Sequence, residues 1–500
     1  MSDGCPMFPG SRVTPEDPRY PTLIRGFNQR WVGTPSAVEV VGDAGQILDV
    51  VQRCVDQNLR PTVRSGGHCY EGWVSLNNGG VILDVSSMHC AGRDPETGWF
   101  FLEGGCTNWD VYNQLYRQYG VTLPAGSCYS VGAGGHICGG GYGLLSRLQG
   151  LTVDWLYGIE LVHVDRDRKA RLVRVTRDSP TQEERDLFWA HTGGGGGNFG
   201  VITKYFFKDL PPGPSEAALA SIAWNWSDLT QDDLSQILRN YSAFYEENSA
   251  PGSPFSGLFS LLHLTRKAAG QVVLTIQYVG EDRDLKAPVE FFLSRMEEGV
   301  DTKRVSIVAP RIAVGWHHFI PAATAVRVMP WLEVTQTLNG SGPNQRGKYK
   351  SAYMKKGFPE GQLPTIWKWL TVENDDYPAN SQALLQVDSY GCNINTVAPD
   401  ATAVPQRSSI FKLQYQTYWT EPSQDPQNLA WINHFYRDMY GERGPWPDET
   451  FDGCYVNYCD SDLVDWAYLY YKENYPRLQK TKQEWDPHNV FHHGQSIQLP

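Results

Sequence analysis

Two nucleophilic side chains in this sequence stand beside runs of glycine. His68 ends the segment Arg64-Ser65-Gly66-Gly67-His68, and Cys128 opens the segment Cys128-Tyr129-Ser130-Val131-Gly132-Ala133-Gly134-Gly135. Glycine lets the backbone adopt positive φ and approach a ligand closely. An isolated histidine or cysteine is more often a turn or packing residue. The pair of segments, however, predicts a flat, anionic cofactor that is gripped from two sides, with covalent attachment as one option.

A third glycine segment runs from Gly193 to Gly197 and continues as Asn198-Phe199-Gly200. Its spacing formally matches the Gly-x-Gly-x-x-Gly fingerprint of dinucleotide-binding folds. That fingerprint follows a strand and opens a helix, whereas Val201 to Phe207 has the composition of a strand. The segment therefore predicts either a flexible loop or a cradle of backbone N–H groups for a pyrophosphate.

The segments that must position these residues alternate between helix-like and strand-like patterns over the first 210 residues. Ile47, Val51 and Val55 recur every four residues, as on one helix face, and a second helix is predicted from Asn108 to Tyr119. Three prolines and a glycine in residues 210–214 predict a boundary. We therefore expect a first domain in 1–210, an α+β domain with an antiparallel sheet in 211–440, and a separate C-terminal segment in 441–500.

The overall composition narrows the class of protein. The chain has 500 residues and a net charge of -12, which argues against nucleic acid and anionic membranes as partners. No apolar run is long enough to span a bilayer and no secretory leader is recognisable, so a cytoplasmic location is expected. No metal site is predicted, because Cys-x-x-Cys is absent and the pairs His317-His318 and His492-His493 are interpreted as surface or packing residues.

Five segments together resemble the berberine-bridge-enzyme-like FAD oxidases of the vanillyl-alcohol-oxidase superfamily. They are Arg64–His68, Cys128–Gly135, Gly193–Val201, Tyr455–Tyr458, and Asp486–Phe491 with Gln495-Ser496-Ile497. The resemblance extends from about residue 25 to 498. It implies an α+β, two-domain PCMH-type FAD fold, in which both chain ends build the FAD domain and the middle of the chain supplies a substrate domain of antiparallel sheet and helices.

The resemblance also implies roles for individual residues. His68 matches the histidine bound to the flavin 8α-methyl group, and Cys128 matches the cysteine bound to flavin C6. Tyr458 matches the catalytic base, and Tyr142 would position or assist. The other implied cofactor-binding residues are Arg64, Ser65, Gly66, Gly67, Gly132, Gly134, Gly135, Gly196, Gly197, Asn198, Val201, Asn457 and Asn489.

The implied activity is an FAD-dependent oxidase with hydride transfer to flavin N5 and reduction of dioxygen to hydrogen peroxide. The favoured substrate is a small glycosylated molecule, oxidised at a sugar primary alcohol to the aldehyde and then the carboxylic acid. The C6 alcohol of an N-acylglucosaminyl group on a glycopeptide antibiotic is the specific expectation.

Two alternatives stay open. One is the same flavin chemistry on another secondary metabolite, such as deoxysugar oxidation, ring closure or lactone formation. The other is a glycoside hydrolase or carbohydrate-binding protein, although no carboxylate pair stands out. The sequence predicts no oligomeric state.

Overall fold

Three β-sheets with helices packed against them form the part of the chain that the computed structural model describes, which is residues 9–281, 284–307 and 325–500. The α+β prediction is therefore confirmed. No helix within these ranges is long and apolar enough to cross a membrane.

The strands and helices have the following bounds. The strands are β1 (Ser11–Val13), β2 (Ala37–Val40), β3 (Pro61–Arg64), β4 (Val81–Asp84), β5 (Ala91–Arg93), β6 (Phe100–Glu103), β7 (Gly158–Val164), β8 (Ala170–Thr176), β9 (Val201–Phe207), β10 (Glu216–Asn225), β11 (Leu258–Thr265), β12 (Gln271–Tyr278), β13 (Arg327–Pro330), β14 (Arg346–Met354), β15 (Ala383–Ser389) and β16 (Phe411–Trp419). The α-helices are α1 (Tyr20–Leu23), α2 (Ala44–Asp56), α3 (Asn108–Asp110), α4 (Tyr116–Tyr119), α5 (Ala133–Cys138), α6 (Ser146–Gln149), α7 (Thr152–Trp155), α8 (Gln182–Ala190), α9 (Gln231–Asn248), α10 (Ala287–Met296), α11 (Trp331–Thr337), α12 (Gln362–Thr371), α13 (Asp425–Tyr440), α14 (Trp466–Tyr471) and α15 (Tyr475–Trp485). A π-helical segment (Val111–Leu115) joins α3 to α4, and short 3₁₀ segments lie at Lys267–Ala269, Cys392–Thr396, Pro422–Gln424 and Lys472–Asn474.

Two smaller sheets are built from the first 210 residues. The first has the order β1-β2-β4-β3, with β2, β4 and β3 parallel and β1 antiparallel at the edge. The second has the order β5-β6-β9-β7-β8 and is antiparallel throughout. Because β3 ends at Arg64, its exit leads directly into the first glycine segment, and because β9 begins at Val201, the third glycine segment is an entry to a strand. The structure thus supports the rejection of a strand-to-helix dinucleotide fingerprint.

Local capping fixes the predicted helices. The Asp43 carboxylate accepts from the Gln46 backbone N–H at 2.8 Å and starts α2, whose buried face includes the predicted Ile47, Val51 and Val55. The helical run from Asn108 to Tyr119 is also confirmed, as three consecutive segments. Thr107 forms a capping box with Asp110, and Gly120 ends the run with a φ of 67°.

The segment from Val153 to Val164 has a composition that predicts a strand, but the first five of its twelve residues are not in one. Residues Thr152–Trp155 form the short helix α7, and β7 begins only at Gly158. The Asp154 carboxylate accepts from the Leu151 backbone N–H at 2.7 Å, which caps this turn, and it also pairs with the buried Arg407. The partner of Asp154 lies 253 residues away, so the apolar composition of the segment could not reveal this turn.

The third sheet has seven antiparallel strands in the order β13-β10-β12-β11-β15-β16-β14. Its strands come from residues 216–419, while α9, α10, α12 and α13 pack with it and with one another. Alternate residues of a strand point to opposite faces of the sheet. Phe259 to His263 on β11, Gln386 and Asp388 on β15, and Lys412 to Gln416 on β16 each present every second side chain to one common cavity. The domain limits at 210 and 440 remain predictions.

Candidate active site

One cavity of about 470 Å³ collects residues from both chain ends and from the seven-stranded sheet. It brings together most of the residues that the sequence predicts. Those lining it are Arg64, Ser65, Gly66, Gly67, His68, Cys128, Gly132, Gly134, Gly135, Tyr142, Gly196, Gly197, Asn198, Asn457 and Tyr458. Val201 and Asn489 are absent from this lining.

The two glycine segments that carry His68 and Cys128 touch through their backbones. A Cβ atom added to Gly66 would lie 2.3 Å from the Gly132 nitrogen, and one added to Gly132 would lie 2.3 Å from the Gly66 nitrogen. Such distances leave no room for any side chain. The glycines therefore bring the histidine and cysteine segments to the same wall of the cavity.

Unpaired backbone N–H groups line the cavity beside these glycines. Within the described residues, none of the N–H groups of 65–68 or 196–198 has a hydrogen-bond acceptor. Gly135 and Gly196 face open space, since an added Cβ would meet nothing closer than 3.9 Å. An N–H group without an acceptor in the protein is available to a ligand, so two such rows at one cavity match the oxygens of a pyrophosphate. The residues present thus fit the dinucleotide end of FAD.

His68 is held as a neutral imidazole. Its Nε2 atom lies 2.9 Å from the Ser130 hydroxyl oxygen, and its ring stacks on Phe27 with centroids 4.7 Å apart. Burial lowers the pKa of His68 to about 4. A neutral imidazole keeps a lone pair available, which is the form needed for bond formation to an electrophilic cofactor carbon.

Cys128 is a free thiol in the cavity wall, where its pKa is raised by burial. The Asn108 side-chain amide donates to the Cys128 carbonyl at 3.0 Å and fixes the turn. Gly340 leaves space beside the sulfur, since a Cβ there would lie 3.1 Å from Sγ. The thiol is therefore positioned by its backbone and reached from the cavity.

The sequence predicts that Arg64 and Ser65 bind the cofactor, but their side chains are not available to a phosphate. The Arg64 guanidinium is buried against Asp84, with Nε 3.0 Å from Oδ2, and it also donates to the carbonyls of Leu23 and Arg25. The Ser65 hydroxyl donates to the Gly104 carbonyl at 2.7 Å. Only the backbone of this segment remains for a ligand, because long-range partners have taken up both side chains.

Asn198 shapes the third glycine segment from within. It is 2% exposed; its side-chain amide donates to the carbonyls of Gly194 and Gly195 at 3.1 and 3.2 Å, and its Oδ1 accepts from the Ile497 N–H at 2.8 Å. Asn457 acts similarly on α5, where its amide donates to the His136 carbonyl at 3.0 Å. Both side chains hold the cavity wall in shape.

The C-terminal motif meets the glycine segment through a buried ion pair. Lys482 Nζ lies 2.6 Å from Asp486 Oδ2 and donates at the same distance to the Asn198 carbonyl. The Asp486 carboxylate also accepts from the Val490 and Phe491 N–H groups, each at 2.9 Å. Lys482 therefore ties the C-terminal motif to the third glycine segment.

Val201 and Asn489, which the sequence predicts to bind the cofactor, lie elsewhere. Val201 is fully buried in the core on β9. Asn489 is exposed and adopts a φ of 50°, a conformation that asparagine tolerates in tight turns. The residues of this motif that do reach the cavity are Phe491, His492 and His493.

We expect Asp486→Asn to lower the free energy of unfolding by about 3–5 kcal/mol, because it leaves the buried Lys482 charge without its partner. Chemical denaturation monitored by circular dichroism measures this loss. Glu484→Gln is the matched control, since it breaks the nearby Arg166–Glu484 pair, whose side chains are 71% and 42% exposed. The control should cost no more than about 1 kcal/mol. Equal losses in the two variants would contradict a stabilising role for the buried Lys482–Asp486 pair.

The predicted base, Tyr458, has a cationic partner that the sequence did not reveal. Lys412 Nζ donates to the Tyr458 hydroxyl oxygen at 2.7 Å and lies 2.8 Å from Asp388 Oδ2. Lys412 is 1% exposed at its side chain. Burial and the Asp388 carboxylate raise the pKa of Tyr458 well above its ordinary value, so the ammonium donor is the group that favours the phenolate. A lysine in the otherwise uncharged strand Phe411–Trp419 was the available signal.

Tyr142 contributes its ring face to this site. Its hydroxyl donates to the Ser389 carbonyl, and Lys412 Nζ lies 4.2 Å from its ring centroid. Burial raises the pKa of Tyr142 well above 10. The hydroxyl is thus engaged, and the ring holds Lys412 in place through a cation–π contact.

Polar side chains from the seven-stranded sheet form the facing wall. His263 Nε2 lies 3.0 Å from Gln386 Oε1, the Gln386 amide donates to Asp388 at 2.6 Å, and the Gln416 amide donates to Gln414 at 3.0 Å. All five residues line the cavity. Amide and imidazole groups can donate and accept, so this wall suits a ligand rich in hydroxyl groups.

The sequence interprets the second histidine pair as surface or packing residues, and His493 does pack, but it also faces the cavity. It lines the cavity, its Nε2 lies 3.2 Å from the Gly196 carbonyl, and its ring stacks on Trp73 with centroids 4.5 Å apart. The first pair, His317-His318, lies outside the described residues.

Lys412→Met should lower kcat by about 10–100-fold, because hydrogen bonds to charged groups contribute about 1.5–3 kcal/mol. Loss of the ammonium raises the pKa of Tyr458 further, so the rise of kcat with pH should move to higher pH. Steady-state kinetics across pH, on protein with its flavin bound, measures both effects. The exposed Lys368, which pairs with Asp438 at 2.8 Å, provides the control variant Lys368→Met. A wild-type pH profile in Lys412→Met would contradict the assigned contact.

The chain is similar to known proteins over almost its whole length. Residues 454–498 match the family model "Berberine and berberine like", and residues 35–166 match an FAD-binding domain. Hexose oxidase of Chondrus crispus is 40% identical over 96% of this chain and 93% of its own length, and aclacinomycin-N/aclacinomycin-A oxidase of Streptomyces galilaeus is 38% identical over 98% and 90%. A crystal structure of a glycopeptide hexose oxidase complexed with teicoplanin superimposes with a TM-score of 0.90 at 36% identity, covering 99% of each chain.

The fold is therefore the PCMH-type FAD-binding fold, and the protein is an FAD-linked oxidoreductase. The chain belongs to the berberine-bridge-enzyme-like family, as its five motifs predict.

Proposed function

We propose that this protein is a bicovalent FAD oxidase that oxidises a primary alcohol of a sugar on a glycosylated natural product. The observation that carries the proposal is Tyr458, held by the buried Lys412 at the same cavity in which His68 and Cys128 lie. When bound, the flavin would supply a hydride acceptor for the alcohol carbon, and its reoxidation by dioxygen would give hydrogen peroxide.

The residues of this chain would transfer the proton and bind the cofactor. Tyr458 takes the hydroxyl proton of the substrate, and Lys412 stabilises the resulting negative charge on its oxygen. His68 and Cys128 would hold the isoalloxazine ring, while the free N–H groups of 65–68 and 196–198 would hold the pyrophosphate. A cofactor anchored in this way need not be enclosed, which leaves room for a large substrate.

The substrate class is inferred from the polar wall and from the relatives. Gln386, Gln414 and Gln416 present amide groups suited to sugar hydroxyls. Two similar proteins are named as hexose oxidases, one of them in complex with teicoplanin. These observations favour the C6 alcohol of an N-acylglucosaminyl group on a glycopeptide antibiotic, with oxidation continuing to the carboxylic acid.

A second candidate is the same chemistry on another secondary metabolite. The 38% identity to an aclacinomycin oxidase and a structure 32% identical, described as a pregilvocarcin complex of an oxidoreductase, favour this option. Substrate choice then depends on the residues around the cavity mouth and not on the flavin site.

Hydrogen peroxide release separates these options. Purified yellow protein is supplied with glycopeptide antibiotics, simple hexoses and polyketide glycosides in parallel, and peroxide and product masses are measured. The proposal expects peroxide from the glycopeptide, with two equivalents per substrate converted to acid. Peroxide only from polyketide glycosides would favour the second candidate. A colourless protein, or a flavin-loaded protein that releases no peroxide from any of these substrates, would overturn the oxidase proposal.

A further inference from the structure

We propose that Cys69 and Cys459 are a modification site, a dithiol that hydrogen peroxide converts reversibly to a disulfide inside the active-site cavity. The proposal depends on the proposed function only for the origin of the peroxide. The pair itself is a property of the fold.

The two cysteines directly follow the two principal site residues. Cys69 follows His68, Cys459 follows Tyr458, and both line the cavity. Their thiols form a hydrogen bond with each other, and the backbone N–H of Glu71 donates to both sulfurs. Both are free in the structure. Two sulfurs that share one N–H donor are neighbours.

Contacts on either side keep the two segments together. Lys348 Nζ bridges Glu71 Oε1 at 2.6 Å and Asp460 Oδ1 at 2.7 Å. The rings of Tyr70 and Tyr458 stack with centroids 5.9 Å apart. All three bridged groups are at most 2% exposed at the side chain. The cysteines therefore lie on two segments that an ion bridge and a ring stack hold together.

The two thiols differ in their surroundings and in their exposure. Hydrogen bonds from the Cys459 thiol and from the N–H groups of Glu71 and Trp73 lower the pKa of Cys69. Burial raises the pKa of Cys459 well above its ordinary value. Cys69 is half-buried and Cys459 is buried, so peroxide reaches the Cys69 thiol first and Cys459 is the resolving thiol.

The chemistry balances with peroxide as the only oxidant. The Cys69 sulfur attacks one peroxide oxygen, the O–O bond breaks, and the other oxygen leaves as water, which gives a sulfenic acid. The Cys459 sulfur then displaces that hydroxyl group as a second water. In total, two thiols and one hydrogen peroxide give one disulfide and two waters. The resolving thiol thereby keeps Cys69 from irreversible oxidation to sulfinic acid beside His68.

The test uses the flavin-loaded protein, reduced with dithiothreitol and desalted. It is treated with hydrogen peroxide, blocked with N-ethylmaleimide, and mapped by peptide mass. The expected result is loss of two thiols per chain, a cross-linked peptide pair containing Cys69 and Cys459, and full recovery with dithiothreitol. Cys459→Ser should accumulate sulfinic acid at Cys69 instead. Cys54→Ser, which removes a buried thiol in α2, should behave as wild type.

Full alkylation of both cysteines after peroxide treatment of the folded wild-type protein would overturn the proposal. So would a disulfide that joins either cysteine to a different partner. A second arm replaces added peroxide by turnover, with and without catalase. A disulfide that forms with added peroxide but not during turnover would leave the site intact and count against peroxide production, so the two proposals fail separately.

Discussion

Tyr458→Phe should lower kcat by about 10²–10⁴-fold, the range that a positioned proton acceptor contributes. The substitution removes only the hydroxyl oxygen, which is the atom 2.7 Å from Lys412 Nζ. The ring contacts with Tyr70 and Tyr455 are kept. Flavin binding should therefore be unchanged, and the loss should appear in kcat more than in KM.

Steady-state and single-turnover kinetics measure this effect, with the flavin absorbance confirming equal loading. Tyr440→Phe is the matched control, because its hydroxyl also has a buried partner, Tyr415, at 3.0 Å, yet it does not line the cavity. We expect the control to retain kcat and to lose at most about 1.5 kcal/mol of stability. Unchanged turnover in Tyr458→Phe would show that another group accepts the proton.

The double variant His68→Ala, Cys128→Ala should release its flavin when the protein is denatured with acid, whereas the wild type should stay yellow. Both side chains line the cavity on glycine segments whose backbones touch at Gly66 and Gly132. Each single variant keeps one attachment and should retain its flavin through denaturation. Only the removal of both nucleophiles should release all of the flavin from the acid-precipitated protein.

Absorbance of the acid supernatant, with mass measurement of the protein, checks this prediction. Cys138→Ser is the control, since Cys138 also lines the cavity but its sulfur lies 3.1 Å from the Tyr205 hydroxyl. It should retain flavin as the wild type does. Retention of flavin by the double variant would exclude His68 and Cys128 as the attachment points, and release from the wild type would exclude covalent attachment.

The sequence by itself determined the features that depend on backbone conformation. Gly66 and Gly132 mark the place where two backbones touch, and Gly196 and Gly197 mark a wall with free N–H groups. The close approach of Gly66 and Gly132 follows from residue type, because only glycine leaves room for it. The capping of the helical run from Asn108 to Tyr119 was also predictable, because Thr107 and Gly120 act on residues that are close to them in the sequence.

Only the tertiary structure decided which side chains face the cavity and with what partners. Arg64 forms an ion pair with Asp84, twenty residues away, and Lys412 forms a hydrogen bond with Tyr458, 46 residues away. The contact between Cys69 and Cys459 joins the N-terminal part of the chain to its C-terminal part. Side-chain partners are set by strand order and by the twist that brings remote segments together, and residue spacing along the chain carries no information about them.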